Sequence, residues 1–172
     1  SIKRRLAGED MVAICLPATV GCAIANIGAM MAGKTPVNLN FTAGKELMKS
    51  AIEQCGAKTV LTSRAFLAKA GIESIDGMVF LEDILGSVGR FERAWAMSLS
   101  FILPARALDL ICSRKRPDGE RLATVVFTTG SEGSPKGVML THHNILANIE
   151  GFSQILSTGP KDALLGVLPF FH

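Results

Sequence analysis

The sequence predicts an α/β protein with a largely parallel sheet flanked by helices. Short apolar runs rich in β-forming residues alternate with segments of helical spacing, and the links between them are short and marked by Gly or Pro. The chain has 172 residues, 48% hydrophobic and 19% charged. That composition buries a core of ordinary domain size and excludes a disordered chain.

Met11–Leu16 reads as a buried strand closed by Pro17. Ala18–Ala32 is apolar, with small residues and little β-branching, and reads as a buried helix. Gly33 is its expected C-cap and Pro36 forbids continuation. Val37–Leu39 is a second strand. In Lys45–Cys55, Leu47, Met48, Ala51, Ile52 and Cys55 recur on one face, with Lys45, Glu46, Lys49 and Glu53 on the other. Gly56 ends this helix. Thr59–Thr62 is a strand, Ser63 the N-cap of a helix to Ala70 closed by Gly71, and Met78–Leu81 another strand.

Residues 90–116 interrupt this rhythm. Arg90 and Arg93 precede the apolar run Ala94–Cys112, and Arg114-Lys115-Arg116 follow it. Pro104, Arg106 and Asp109 inside the run oppose a membrane-spanning helix. Two readings stand: an interfacial helix with basic flanks, and a pair of core-packed helices joined at Pro104, the favoured one. Pro117–Glu120 is a turn and Leu122–Thr128 a buried strand. Thr141 caps a helix from His142 to Leu156, and Leu164–Leu168 is expected as a last strand.

A net charge of +3 and the absence of Tyr argue against nucleic acid as a partner, because basic residues are not interleaved with stacking aromatics. Cys15, Cys22, Cys55 and Cys112 form no C-x-x-C pair and sit among apolar neighbours. They read as buried thiols of a reducing compartment, not as a zinc site. Lys3-Arg4-Arg5 before an apolar run resembles an export signal, but Glu9-Asp10 and Pro17 break the pattern. The sequon Asn40-Phe41-Thr42 is accordingly read as unused. Ser1 and His172 both look like cut ends of a longer chain.

Two glycine-rich strings could bind phosphate. Gly28-Ala29-Met30-Met31-Ala32-Gly33-Lys34-Thr35 satisfies the Walker A pattern literally. A helical run precedes it, however, and Pro36 biases Thr35 away from helical geometry. No helix N-terminus can then open at the Lys-Thr pair, and the string is read as a decoy. The second string, Thr128-Thr129-Gly130-Ser131-Glu132-Gly133-Ser134-Pro135-Lys136-Gly137, directly follows a buried strand. Its hydroxyls and glycine N–H groups converge in one turn, and Lys136 adds a full positive charge. An ordinary hairpin loop is the competing reading.

The order of these residues resembles the signature of the acyl-activating, adenylate-forming superfamily, T-S/T-G-S/T-x-G-x-P-K-G. Val138-Met139-Leu140-Thr141-His142 and Asn144 are similar to the segment that follows it. Ala32-Gly33-Lys34-Thr35-Pro36-Val37-Asn38-Leu39-Asn40 resembles the superfamily's A-G-x-x-P-x-N motif, and Pro169-Phe170-Phe171-His172 the start of the next one. Within the superfamily the chain is most similar to acyl–acyl-carrier-protein synthetases, including the ligase half of the bifunctional enzyme that reacylates lysophosphatidylethanolamine. The segments Asn38–Gly44 and Leu61–Phe66 and the variant residue Glu132 carry that similarity. A carboxylate beside a triphosphate needs Mg²⁺ or Lys136 to offset it.

The resemblance implies that residues 1–172 are a fragment of the large N-terminal AMP-binding domain, with the C-terminal lid domain beyond it; the interfacial reading of 90–116 would make that segment a helical, membrane-interfacial insertion in it. The resemblance also implies ATP and Mg²⁺ as cofactors and a fatty acid as substrate. The carboxylate attacks the α-phosphate, and the acyl-adenylate passes to a phosphopantetheine thiol of acyl carrier protein or coenzyme A. Thr128, Thr129, Gly130, Ser131, Glu132, Gly133 and Lys136 would hold the phosphates, and His172 with Phe170 and Phe171 would border the acyl-adenylate pocket as the catalytic position. No residue is assigned as a protein ligand to a metal. The superfamily's adenine- and ribose-binding motifs, its Mg²⁺-associated acid and its lid lysine lie beyond His172, so the fragment alone is expected to be inactive. The alternatives are a long-chain acyl-CoA synthetase and a catalytically inert membrane-associating module. The expected location is cytoplasmic, peripheral at the inner face of the cell membrane if 90–116 meets lipid.

Overall fold

The computed structural model describes residues 8–104, 107, 118–129, 135–156, 159, 161–163 and 165–171. Cys112, the Lys3-Arg4-Arg5 and Arg114-Lys115-Arg116 clusters, Gly130–Ser134 and His172 lie outside the described residues. Six strands form one sheet: β1 (Met11–Ile14), β2 (Thr35–Asn38), β3 (Val60–Thr62), β4 (Met78–Phe80), β5 (Leu122–Thr129) and β6 (Pro135–Thr141). Their order is β4-β3-β1-β2-β5-β6. The first five are mutually parallel, and β6 returns antiparallel to β5. The largely parallel α/β class read from the sequence is therefore the observed one.

The helices are α1 (Val20–Met31), α2 (Lys45–Cys55), α3 (Arg64–Ala70), α4 (Leu81–Ser87), α5 (Arg90–Ile102) and α6 (His142–Ile155). Side chains alternate across a strand. Ala13 and Cys15 thus face one way with Val37, Val60 and Val125, where Met48 and Ala51 of α2 cover them. Val12 and Ile14 face the other way, where Cys22 and Ala25 of α1 and Ile84 of α4 cover them. The caps follow the sequence closely. Thr19, Ser63 and Thr141 accept N-cap bonds from Cys22, Phe66 and Asn144. Gly56 closes α2 at φ 60°, where a side chain would clash with its own backbone.

Three sequence expectations need correction. The segment after the glycine-rich loop is a strand, β6, which the reading left unassigned; Pro135 is tolerated at its first position, where a missing N–H costs least. The expected strand Leu164–Leu168 is not formed by its described residues. The Val167 N–H turns back to the Leu165 carbonyl at 3.1 Å, Leu165, Val167 and Leu168 are exposed, and the segment pairs with no strand among the described residues. The favoured core-packed reading of 90–116 fails for α5, which buries no residue. No helix among the described residues is long and apolar enough to cross a membrane.

The sheet's interior carries a polar lock that the sequence did not announce. Asn26 on α1 and Asn38 at the end of β2 are both buried. They exchange reciprocal amide bonds, Asn26 Nδ2 to Asn38 Oδ1 at 3.0 Å and Asn38 Nδ2 to Asn26 Oδ1 at 2.8 Å. Glu9, also buried, accepts the N–H groups of Lys58 and Thr59 at 2.9 and 3.0 Å and ties the start of β1 to that of β3. No buried side-chain nitrogen or oxygen among the described residues lacks a partner.

Cys15 and Cys22 are buried, and burial pushes both thiols up from 9.0 to about 11. Two predictions follow from this interior. Asn38→Ala leaves Asn26 Oδ1 without its donor, although Asn26 Nδ2 keeps the Cys22 carbonyl, and lowers stability by about 1–3 kcal/mol in equilibrium urea denaturation, whereas Asn26→Leu with Asn38→Val costs less than the single change. For the thiols, the folded chain holds its protons more tightly than the unfolded chain. Their contribution is intact below pH about 9 and falls as pH rises towards about 11. Denaturation midpoints measured across that window should decline, and the decline should shrink in Cys15→Ala/Cys22→Ala.

Candidate phosphate-binding site

The site is built on β5, and β5 is held in the sheet by bonds across 87 and 88 residues of sequence. The Thr124 hydroxyl donates to the Pro36 carbonyl at 2.8 Å, the Thr35 hydroxyl donates to the Leu122 carbonyl at 3.3 Å, and the Arg121 guanidinium donates to the Gly33 carbonyl. Val37 and Asn38 lie opposite Val125 and Val126 in the parallel ladder. The C-terminal ends of β1, β2 and β5 therefore share one edge of the sheet, the edge where open α/β sheets bind ligands.

The same bonds dispose of the literal Walker A string. Gly28 to Met31 lie inside α1, Gly33 turns the chain at φ 78°, and Thr35 enters a strand. Lys34 Nζ is engaged by the Glu9 carbonyl and the Thr35 hydroxyl is part of the β2–β5 seam. A helix running into a strand reverses the strand-to-helix order that phosphate cradling needs.

At the second string β5 and β6 form a hairpin. Thr128 stands opposite Lys136 and Thr129 opposite Pro135. Gly130, Ser131, Glu132 and Gly133 fall between the two strands and outside the described residues, as does the Thr129 side chain. The hairpin reading and the phosphate-loop reading thus describe one object: the loop joins two paired strands. Directly opposed residues share a face, so Thr128 and Lys136 project together, and both are exposed. The Thr128 hydroxyl donates to the Lys136 carbonyl at 3.4 Å. Among the described residues no acid pairs with Lys136. Lys136, with no acid partner among the described residues, stands at the loop's base as a cation for an anion, and the Thr128 hydroxyl beside it can join as a donor once its long bond to the Lys136 carbonyl is released.

The opposite face of the hairpin is packed against α2. Gln54 Nε2 donates to the Pro135 carbonyl at 3.1 Å and grips the strand where it leaves the loop. Gly137 lies opposite Phe127, and a Cβ there would sit 3.1 Å from Val125 Cγ1 and 3.2 Å from the Phe127 ring. Glycine at this position lets the ring lie flat on the neighbouring strand. Sequence reasoning missed both roles; Gln54 sits on the polar face of its helix and gives no signal of its own.

Other predicted residues reach the same edge. Asn40 Oδ1 accepts from the Thr42 N–H and hydroxyl at 3.0 and 2.6 Å, turning the chain after β2. Phe41 then stacks edge-on against Phe66 at 4.9 Å and Phe171 at 5.1 Å. Phe171 is buried and Phe170 exposed, so the Pro-Phe-Phe segment is anchored on the turn after β2.

Residues 3–172 match the family of AMP-binding enzymes. The chain belongs to that family. It is 43% identical over 56 residues to the long chain acyl-CoA synthetase 7, peroxisomal, of Arabidopsis thaliana, covering 33% of this chain and 8% of that protein. Over 168 residues it is 28% identical to 4-coumarate-CoA ligase 1 of Narcissus pseudonarcissus, covering 94% of this chain and 29% of the relative. This AMP-binding enzyme chain thus spans less than a third of the length of the relative it matches throughout. Among solved structures, the O-succinylbenzoate coenzyme A synthetase of Bacillus subtilis in complex with ATP and magnesium ion superposes with a TM-score of 0.70. The match is 20% identical and covers 99% of this chain and 32% of that one, and it establishes likeness of fold.

The packing of Gly137 yields a direct test. Gly137→Val drives two methyl groups into Phe127 and Val125 and should lower stability by about 1–3 kcal/mol in thermal denaturation. Gly28→Ala, with open space at its Cβ inside α1, should raise it by about 0.5–1 kcal/mol.

Proposed function

We propose that the protein is a fatty-acid-activating acid–thiol ligase, and that this chain supplies the phosphate-binding edge of its active site. The observation that carries the reading is the pairing of exposed Thr128 and Lys136 at the base of the Gly130–Gly133 loop, on the ligand-binding edge of the sheet. Membership of the AMP-binding family and the fatty-acyl relative support it.

ATP is a substrate. A fatty carboxylate oxygen forms a bond to the α-phosphorus as the bond to pyrophosphate breaks, giving acyl-adenylate. A phosphopantetheine thiol then forms a bond to the acyl carbon as AMP leaves, and the thiol proton goes to solvent. This chemistry asks for placement and charge neutralisation more than for covalent help. Lys136 would supply a fixed positive charge, and Thr128, Thr129, Ser131 and the amides of Gly130 and Gly133 would donate to the β- and γ-phosphate oxygens. Mg²⁺ would supply further charge neutralisation beside Lys136, and the carboxylate that Glu132 adds to the loop sequence makes that neutralisation the more necessary. His172, beside the anchored Phe171, is proposed to border the acyl-adenylate.

The acceptor is a phosphopantetheine thiol in either form. The coenzyme A ligases among the relatives favour coenzyme A; the motif variants Asn38–Gly44, Leu61–Phe66 and Glu132 favour acyl carrier protein. A cytoplasmic location is proposed with either acceptor.

In the complete protein, fatty-acid-dependent ATP–pyrophosphate exchange should fall about 10²-fold or more in Lys136→Ala. Gly28→Ala, which destroys the Walker string, should leave it unchanged. Exchange that needs no fatty acid, or that survives Lys136→Ala, would overturn the reading. Offering coenzyme A and holo-acyl carrier protein separately, with labelled fatty acid, distinguishes the acceptors.

A further inference from the structure

Three helices turn apolar residues outward: Val20, Ile24, Ile27 and Met31 on α1, Leu146, Ile149, Phe152 and Ile155 on α6, and a larger aromatic set on α5. Nothing in the structure shows what covers α1, which bears no charged residue, or α6. The chemistry of α5 is different. Phe91, Trp95, Leu99 and Ile102 recur at i, i+4, i+8 and i+11 and share one face. Phe91 is 93% exposed, Trp95 69% and Ile102 75%, and no residue of the helix is buried.

Among the described residues, one side-chain bond ties α5 to the body of the protein: Arg93, on the face opposite the Phe91–Trp95–Ile102 stripe, donates from its guanidinium to the Leu85 carbonyl on α4. The helix is otherwise exposed on every side, with Met97 at 64% and Phe101 at 82%, and only Leu99 of the stripe is half-buried. The sequence of the segment to which α5 belongs is one-sided in charge. Residues 90–116 hold six basic side chains (Arg90, Arg93, Arg106, Arg114, Lys115 and Arg116) against Glu92 and Asp109. That segment's net charge of +4 exceeds the +3 of the whole chain, so the remainder is slightly acidic. An outward stripe of Trp, Phe and Ile on a cationic segment is the chemistry of the boundary between lipid headgroups and acyl chains.

We infer that α5 is a membrane-surface helix that lies in the plane of an anionic lipid bilayer, inserting Phe91, Trp95 and Ile102 while Arg90 stays among the headgroups. The inference goes beyond the ligase reading and does not rest on it, because lipid partition is read without acyl transfer.

The test is flotation of the complete protein with vesicles of phosphatidylcholine alone and with about 30% phosphatidylglycerol. Binding should favour the anionic vesicles and fade between about 0.05 and 0.5 M salt. Trp95→Glu should lower partition roughly tenfold or more. Arg90→Glu should lower it roughly tenfold on anionic vesicles and leave the weak neutral binding unchanged. Phe91→Ser repeats the test at a second exposed position, and unchanged circular dichroism is the folding control. The emission difference between wild type and Trp95→Phe should shift to the blue on the anionic vesicles. Equal flotation of wild type and Trp95→Glu, indifference to lipid charge, or a lipid-free dimer broken by Trp95→Glu would overturn the inference.

Discussion

The pairing of β5 with β2 is the constraint on which the rest depends. It joins segments almost ninety residues apart and is made redundantly, by ladder bonds, two threonine hydroxyls and the Arg121 guanidinium. Closing so long a loop has an entropic cost that local structure cannot offset, so the seam must be strong in itself. Once β5 is seated, β6 follows by hairpin pairing, and the glycine-rich loop stands at the sheet's ligand-binding edge. Residues of the decoy string, Gly33 and Thr35, serve as struts of that seam, which explains their presence without any phosphate.

The interior is apolar in bulk but is specified by a few polar contacts. The Asn26–Asn38 amide pair sets how α1 lies on β2, because a rotation breaks both bonds between the two buried amides and leaves Asn26 only its bond to the Cys22 carbonyl of the same helix. Glu9 does the same for the entrance to β1 and β3 through two backbone N–H groups, and the Thr62 hydroxyl bonds the Cys15 carbonyl at 2.9 Å. Val, Ile, Leu and Cys supply the driving force of burial; these polar pairs choose one arrangement among several of similar apolar area.

How far this could be read from residues alone varies with the range of the interaction. Caps at Ser63 and Thr141, the stop at Gly56 and the strands around Val12, Val60 and Val125 all announce themselves within a few residues. β6 did not, because Val138–Thr141 is short and half exposed and becomes a strand only when β5 offers an edge. Leu165–Leu168 has the composition of a strand but pairs with no strand among the described residues. Of the two readings of 90–116, the core-packed one fails for α5 because apolar content does not say whether a helix finds a surface to bury against, and α5 buries no residue. At the site, Thr128 and Lys136 were legible from their order, whereas Gln54 and Gly137 act through contacts that no motif records.

The sequence by itself determined the α/β class, the family and the order of residues around the loop, and it already marked the Walker string as a decoy, because those depend on local propensity and on residue order. Only the tertiary structure decided that the loop joins an antiparallel hairpin, that Gly33 and Thr35 brace the β2–β5 seam, and that α5 buries none of its residues. Each of these turns on hydrogen bonds and packing between distant segments, whose cost and gain are settled only when the whole sheet is assembled.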